Sequence, residues 1–210
     1  MGVIKRGILG GFSGKVAGVV GSSWKGIAVM KALPLSVANP KTAGQVAQRT
    51  KFSAVVARAV FLLVNVVKPL WDRFAQQESG YNAFVSANID AYDSSGDLTA
   101  ADLVISQGKL TAPAGLAVSG TNGDPDVTAT WTDNSGDGTA LATDEAYFVV
   151  WNQTQDEWAI ADSGTTRADS AILVSMPSEV ATSDVLSGWL AFRRADGTIV
   201  SNTAYDTDTV

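Results

Sequence analysis

The fourteen residues from Ala54 to Val67 hold only two hydrophilic side chains, Arg58 and Asn65. This run constrains the chain more than any other feature, because a segment so apolar has to be taken out of water. Phe52, Val55, Val56, Ala59, Leu63, Val66, Val67, Leu70, Trp71 and Phe74 recur at three- and four-residue steps, the spacing of one helix face. The opposite face carries Val60, Phe61, Leu62 and Val64, while Arg58 and Asn65, seven residues apart, share one narrow line. The pattern predicts a helix buried nearly all round, sheathed by the rest of the chain or by other copies of it. Asn39 is a good N-cap and Pro40 suits a first helical position, so the helix is expected to start there. Pro69 is expected to kink or end it, since proline lacks a donor and clashes with the carbonyl one turn back.

The run is shorter than the roughly 20 residues a membrane span requires, and it contains an arginine, so no membrane association is expected. Met1 is followed by short glycine-separated apolar patches rather than a continuous apolar stretch, and no signal peptide is expected. The 210 residues suit one large or two small domains, and a hydrophobic content of 46% allows a real core. Cysteine and histidine are both absent. That excludes disulfides and thiol chemistry, and it removes the usual base near neutral pH and the commonest metal ligand. No serine can be paired with a histidine base, and neighbouring carboxylates such as Asp156 and Glu157 point to opposite faces of a strand. An enzyme is therefore not expected.

The net charge of −6 conceals a division. Residues 1–75 hold 11 of the 15 basic residues and a single acid, Asp72, for a net +10. Residues 76–210 hold four basic and 20 acidic residues, for a net −16. Such asymmetry predicts two surfaces with different partners. For the basic half these are nucleic-acid phosphates, or an acidic protein surface such as the C-terminal half of a neighbouring copy. The latter is a head-to-tail contact that builds rings or filaments. Gly14-Lys-Val16 lacks the flanking glycine and the hydroxyl of a phosphate-binding loop.

Along the chain, glycines at 2, 7, 10, 11, 14, 18 and 21 punctuate short apolar pairs. They predict short strands and turns, with a hairpin over Val16–Lys31 that turns at Ser22-Ser23. Leu33 to Asn39 reads as an extended linker. After the apolar helix, Ser79-Gly80 reads as a stop, Tyr81–Tyr92 as a further helix, and Leu103–Ser106 as a short strand. From Leu110 the texture becomes β-prone runs between turn signals: 116–118, 127–131, 146–151, 158–161, 171–174, 189–192 and 199–205. Asp196-Gly197 is a strong hairpin signal before the last of these. Trp131 and Trp151 are candidate core anchors. The expected fold class is α+β. A glycine-rich β-hairpin and long apolar helices (residues 1–107) precede an antiparallel β-sandwich of fibronectin III or immunoglobulin-like type (residues 108–210).

One constellation has ligand spacing. Counting from Asp133, oxygens fall at Asp133, Ser135 and Asp137, glycine follows at Gly138, and Asp144 closes the twelfth position. This is the spacing of a calcium loop, with aspartate in place of the longer bidentate glutamate and with β-prone flanks. A solvated inter-strand loop accounts for the same residues.

Gly14-Lys-Val-Ala-Gly-Val-Val-Gly21, Trp24-Lys25-Gly26, Asn39-Pro-Lys-Thr42, Gln45, Gln48-Arg49 and Phe52 stand together in the first part of the chain. Trp131-Thr-Asp-Asn-Ser-Gly136, Thr143-Asp144, Ala195-Asp-Gly-Thr-Ile-Val-Ser-Asn202 and Tyr205 follow in the second. As a set they resemble an uncharacterised family associated with Bacteroidetes genomes and with phages of those hosts. The resemblance covers essentially the whole chain and carries no activity and no binding residue. It implies a phage origin, and with it a virion structural protein of the neck, tail or capsid surface, assembled in the bacterial host cytoplasm as a homo-oligomer beside other virion proteins. Two other roles compete. One is an adhesion module recognising glycan or a host surface, with calcium at Asp133–Asp144 and Trp158 and Trp189 stacking on sugar. The other is nucleic-acid binding by the basic half.

Overall fold

The computed structural model describes residues 3–4, 11–25, 27–34, 36, 39–161 and 164–210. The expected punctuation at Gly2, Gly7 and Gly10 and the linker residues Leu35, Val37 and Ala38 lie outside the described residues. The chain forms two compact units, Met1–Thr42 and Ala43–Val210. The boundary expected at 107/108 therefore falls inside the second unit, where helices and sheet share one apolar cluster. The class is α+β: antiparallel sheets with a few helices.

The first unit is a meander of β1 (Val3–Ile4), β2 (Phe12–Val16), β3 (Val19–Trp24) and β4 (Ile27–Ala32), in that spatial order. Val16 pairs with Val19 and Trp24 with Ile27, so the β2–β3 and β3–β4 connections are each two residues long. Each loop begins with a positive φ, at Ala17 (47°) and Lys25 (48°). Two-residue loops of this hand match the natural twist of paired strands. The turn expected at Ser22-Ser23 is corrected: both serines lie inside β3, opposite Val29 and Ala28. Gly21 lies beneath Phe12, whose ring would stand 2.6 Å from any Cβ placed there.

The second unit begins with α1 (Ala43–Phe61), so Asn39 and Pro40 precede the helix instead of capping it. The helix does not continue straight to Pro69. A π-helical turn spans Leu63–Val67, in which the Val67 N–H donates to the Leu62 carbonyl at 3.0 Å and the Lys68 N–H donates to Leu63. A short α2 (Lys68–Trp71) follows with Pro69 in its first turn, where a missing donor costs nothing. The wide turn admits one extra residue ahead of the proline, and the two helical stretches meet at 72°. Ser79 starts an element where a stop was expected: its hydroxyl accepts from the Asn82 N–H at 3.2 Å and caps α3 (Gly80–Asn88). Gly80 packs against residue 72 so closely that a Cβ would lie 2.5 Å from the Asp72 nitrogen. Leu103–Ser106 is not a strand. It is an extended segment held by side chains: Trp71 Nε1 donates to the Ile105 carbonyl at 2.7 Å, and Asn88 bonds the Val104 backbone in both directions.

Seven strands follow, one for each β-prone run: β5 (Ala114–Gly120), β6 (Asp126–Thr132), β7 (Glu145–Asn152), β8 (Glu157–Ile160), β9 (Ala171–Ser175), β10 (Val185–Arg193) and β11 (Ala204–Thr209). The last begins later than expected, because Ile199–Ser201 serve the turn at Asp196-Gly197, where Gly197 has φ 67°. One sheet runs β11-β10-β7-β8 and the other β5-β6-β9. Phe148, Val150, Leu186, Leu190 and Phe192 on the first face Val118, Val127, Ala129, Trp131, Ile172 and Val174 on the second. Val149, Trp158, Trp189 and Ala191 point the other way, into the helices. The four-stranded sheet is thus the middle layer of three, which explains why β10 is apolar almost throughout while Thr128, Thr130 and Thr132 alternate along β6. Each fully buried large side chain here stabilises the fold by about 1.5–3 kcal/mol.

Candidate functional site

The inner line of the apolar run is Val55, Ala59, Leu62, Val66 and Leu70, all essentially without solvent contact. It packs on α3 and on the helix-facing side of the four-stranded sheet. Arg58 belongs to this contact as well and does not sit on a wet line with Asn65. Its guanidinium lies 3.7 Å from the centre of the Trp158 ring. Trp158 stacks in turn on Trp189 (5.4 Å between ring centres, 1° between planes) and on Trp151 (5.1 Å, 18°). A cation over an indole face is attracted by the ring quadrupole, and more strongly away from water. Burial lowers the Arg58 pKa, and the neighbouring Tyr92 works in the opposite direction. Trp189 is anchored by donating to the Ala100 carbonyl at 3.0 Å. Trp158 and Trp189, expected as sugar platforms under the adhesion reading, are both buried and stack on each other.

The outer face of the same run is bare, so within one chain the helix is covered on one side only. Phe52, Val60, Phe61 and Val64 are 52%, 59%, 48% and 67% exposed, with Val46 at 46% a turn and a half earlier. Gln48, Arg49, Phe52, Ser53 and Val56 border a shallow hollow of about 460 Å³ along α1. No acidic residue occurs between Ala43 and Trp71. The face is therefore apolar with cationic margins. A contiguous patch of this kind on a folded surface marks an interaction site more often than chance exposure does. Among the described residues no single helix is long and apolar enough to cross a membrane, and the two bent stretches pass that test only when joined.

The Asp133–Asp144 loop has a different occupation from the one its spacing suggested. Asp133 is exposed, and its Oδ1 accepts from the Ser135 N–H at 2.9 Å and from the Ser135 hydroxyl. These bonds hold its carboxyl below the usual range. Asp137 is exposed and contributes its carbonyl to Thr111 at 3.0 Å. Asp144 is fully buried, unlike Asp133 and Asp137. Its Oδ2 accepts from the Leu141 N–H at 2.8 Å and from Arg167 Nε and Nη2 at 3.2 Å. Arg167 also donates to the Thr111 carbonyl at 2.9 Å and to Asn134, and it lies 3.9 Å over the Phe192 ring. Burial lowers the Arg167 pKa and Asp144 raises it again. The four proposed ligands are thus not brought into one shell, and among the described residues no group of three or more acidic side chains stands ready to hold a metal ion. Millimolar calcium or EDTA is expected to leave the melting temperature unchanged, since only a ligand that binds the folded state raises it. A rise with calcium that EDTA reverses would show that the loop rearranges around a cation.

A second hollow, about 480 Å³ between α2 and α3, is bordered by Trp71, Phe74, Glu78, Ser86 and Gln107 among others. Its only titratable side chain is Glu78. A protein-family model described as "Family of unknown function (DUF6266)" matches residues 11–206. No curated protein matches the chain.

Proposed function

We propose that this chain, which belongs to the family of unknown function DUF6266, is a structural component of a phage virion that assembles as a homo-oligomer through the outer face of α1. The observation that carries the reading is the bare row Phe52, Val60, Phe61 and Val64, set among cationic margins and free of acids. An apolar row of this length is costly to leave in water, and a sister subunit is the partner always present at matching concentration. The resemblance to proteins of Bacteroidetes and of phages of those hosts supports the virion assignment and a position in the neck, the tail or on the capsid surface. The second unit fits the same role. Its first, second and fifth strands form one sheet and its third, fourth, sixth and seventh the other, which supports a fibronectin III or immunoglobulin-like sandwich, a module suited to surface display.

Electron imaging of the purified full chain tests the proposal. Closed rings or shells of repeated subunits are the expected result. Dispersed single subunits at micromolar concentration would remove the structural reading.

A further inference from the structure

We infer that the sheet of the first unit is a docking surface for one end of a neighbouring copy's second unit, a contact that rests on the homo-oligomeric reading above and gives it a direction. Residues 1–42 carry six basic side chains and no acidic one. The strand register places Lys15, Val20 and Lys31 in one cross-strand row, so both lysines project from the same face. Both are exposed. Two strand spacings separate their backbones by about 10 Å. Ile27, four residues before Lys31 on β4, shares this face and is exposed too, which adds apolar area to the charge.

The second unit holds nine basic and 21 acidic residues, a net −12, and the charge is not spread evenly. The loops β5–β6, β7–β8 and β9–β10 are tied together at one end of the paired sheets. The Gly123 N–H donates to the Val180 carbonyl at 2.8 Å, Gln155 donates to the Glu179 carbonyl at 3.1 Å, and the Ser178 hydroxyl donates to Glu157 at 2.7 Å. The chain terminus joins them through Ser183 N–H to the Val210 carbonyl at 2.6 Å. Residues 119–126, 152–158, 175–186 and 206–210 hold eight acidic and no basic residues. Asp124, Asp156 and Glu179 stand exposed there. The four basic residues after Arg73 gather at the other end, where Arg167 pairs with Asp144, Arg193 with Glu145, Arg194 donates to the Thr139 carbonyl, and the Thr139 hydroxyl donates to the Lys109 backbone carbonyl. One end of the second unit is therefore of a single sign, opposite to that of the first unit. Complementary charge fixes orientation and partner choice. Because the two surfaces differ, the contact is head-to-tail and propagates into a ring or a filament.

The test uses the full chain and two charge reversals, Lys15→Glu/Lys31→Glu and Asp124→Lys/Glu179→Lys, with thermal melts to confirm that each folds. Sedimentation in low and high salt should show self-association weakening as screening shortens from a Debye length of about 10 Å at 0.1 M toward 3 Å at 1 M. Each reversal alone should weaken association at least about tenfold, and mixing the two variants should restore it, because the reversed surfaces again complement each other. If both variants assemble like the unmodified chain while a charge on the outer face of α1 disrupts assembly, the docking contact is overturned and the homo-oligomeric reading stands. If the unmodified chain is a monomer in all salts, both fall. If Lys15→Glu/Lys31→Glu abolishes binding of a DNA duplex but leaves the assembly mass unchanged, the lysine face serves nucleic acid and the docking contact is overturned.

Discussion

Arg167→Ala should destabilise the fold by about 3–5 kcal/mol, the usual cost of breaking a buried ion pair, because the other cation near Asp144, Arg194, stands 3.8 Å from Oδ1 and does not replace the donors lost from Oδ2. Asp144 has no solvent contact, and the guanidinium supplies two of the donors on its Oδ2. The same substitution strips donors from Asn134 and the Thr111 carbonyl and leaves a void over Phe192. Removing the charge on both sides should be far milder. Arg167→Met with Asp144→Asn keeps an acceptor for the Leu141 N–H and fills most of the volume, so it should recover a large part of the loss. Urea unfolding reads the difference as a shifted midpoint at constant slope. A single mutant within about 1 kcal/mol of the unmodified chain would mean that Asp144 finds another partner or water.

Val60→Glu combined with Phe52→Ser should leave the fold nearly untouched and abolish assembly through α1. Both side chains are more than half exposed, and surface changes of this kind usually stay within about 0.5 kcal/mol per site. In a subunit contact the same positions lie in the apolar centre, where a carboxylate is desolvated without a partner. The loss there is about 2 kcal/mol or more, roughly thirtyfold in Kd for each affected contact. The comparison is clean because Val55 and Ala59, which hold the helix to its own sheet, are left alone.

Much of the second unit could be read from its residues. Alternation of Val127, Ala129 and Trp131 with threonines gave β6 with one wet face, and each β-prone run became a strand. The inner line of the apolar helix was legible from its spacing. Periodicity does not tell which element will cover a face, so it could not separate the covered half of α1 from the bare half. The π turn was hidden because its cause, Pro69, acts on backbone geometry several residues earlier. The pairing of Asp144 with Arg167 was hidden because the two lie 23 residues apart and only the folded loop brings them together. The partner of Arg58 was equally hidden, since Trp158 belongs to a different layer. A signal was available for Arg58: a lone arginine within an apolar run requires a partner once it is buried.

Assembly through the bare face of α1 is tested most directly by the molar mass of the full chain in solution. Light scattering at about ten micromolar, a concentration at which a micromolar Kd already populates complexes, and at 1 M salt, where a Debye length of about 3 Å screens the charged docking contact, should give a defined multiple of 21.8 kDa for the unmodified protein and 21.8 kDa for Val60→Glu/Phe52→Ser. An unmodified chain that stays at 21.8 kDa, or a double variant that keeps the larger mass, would contradict it.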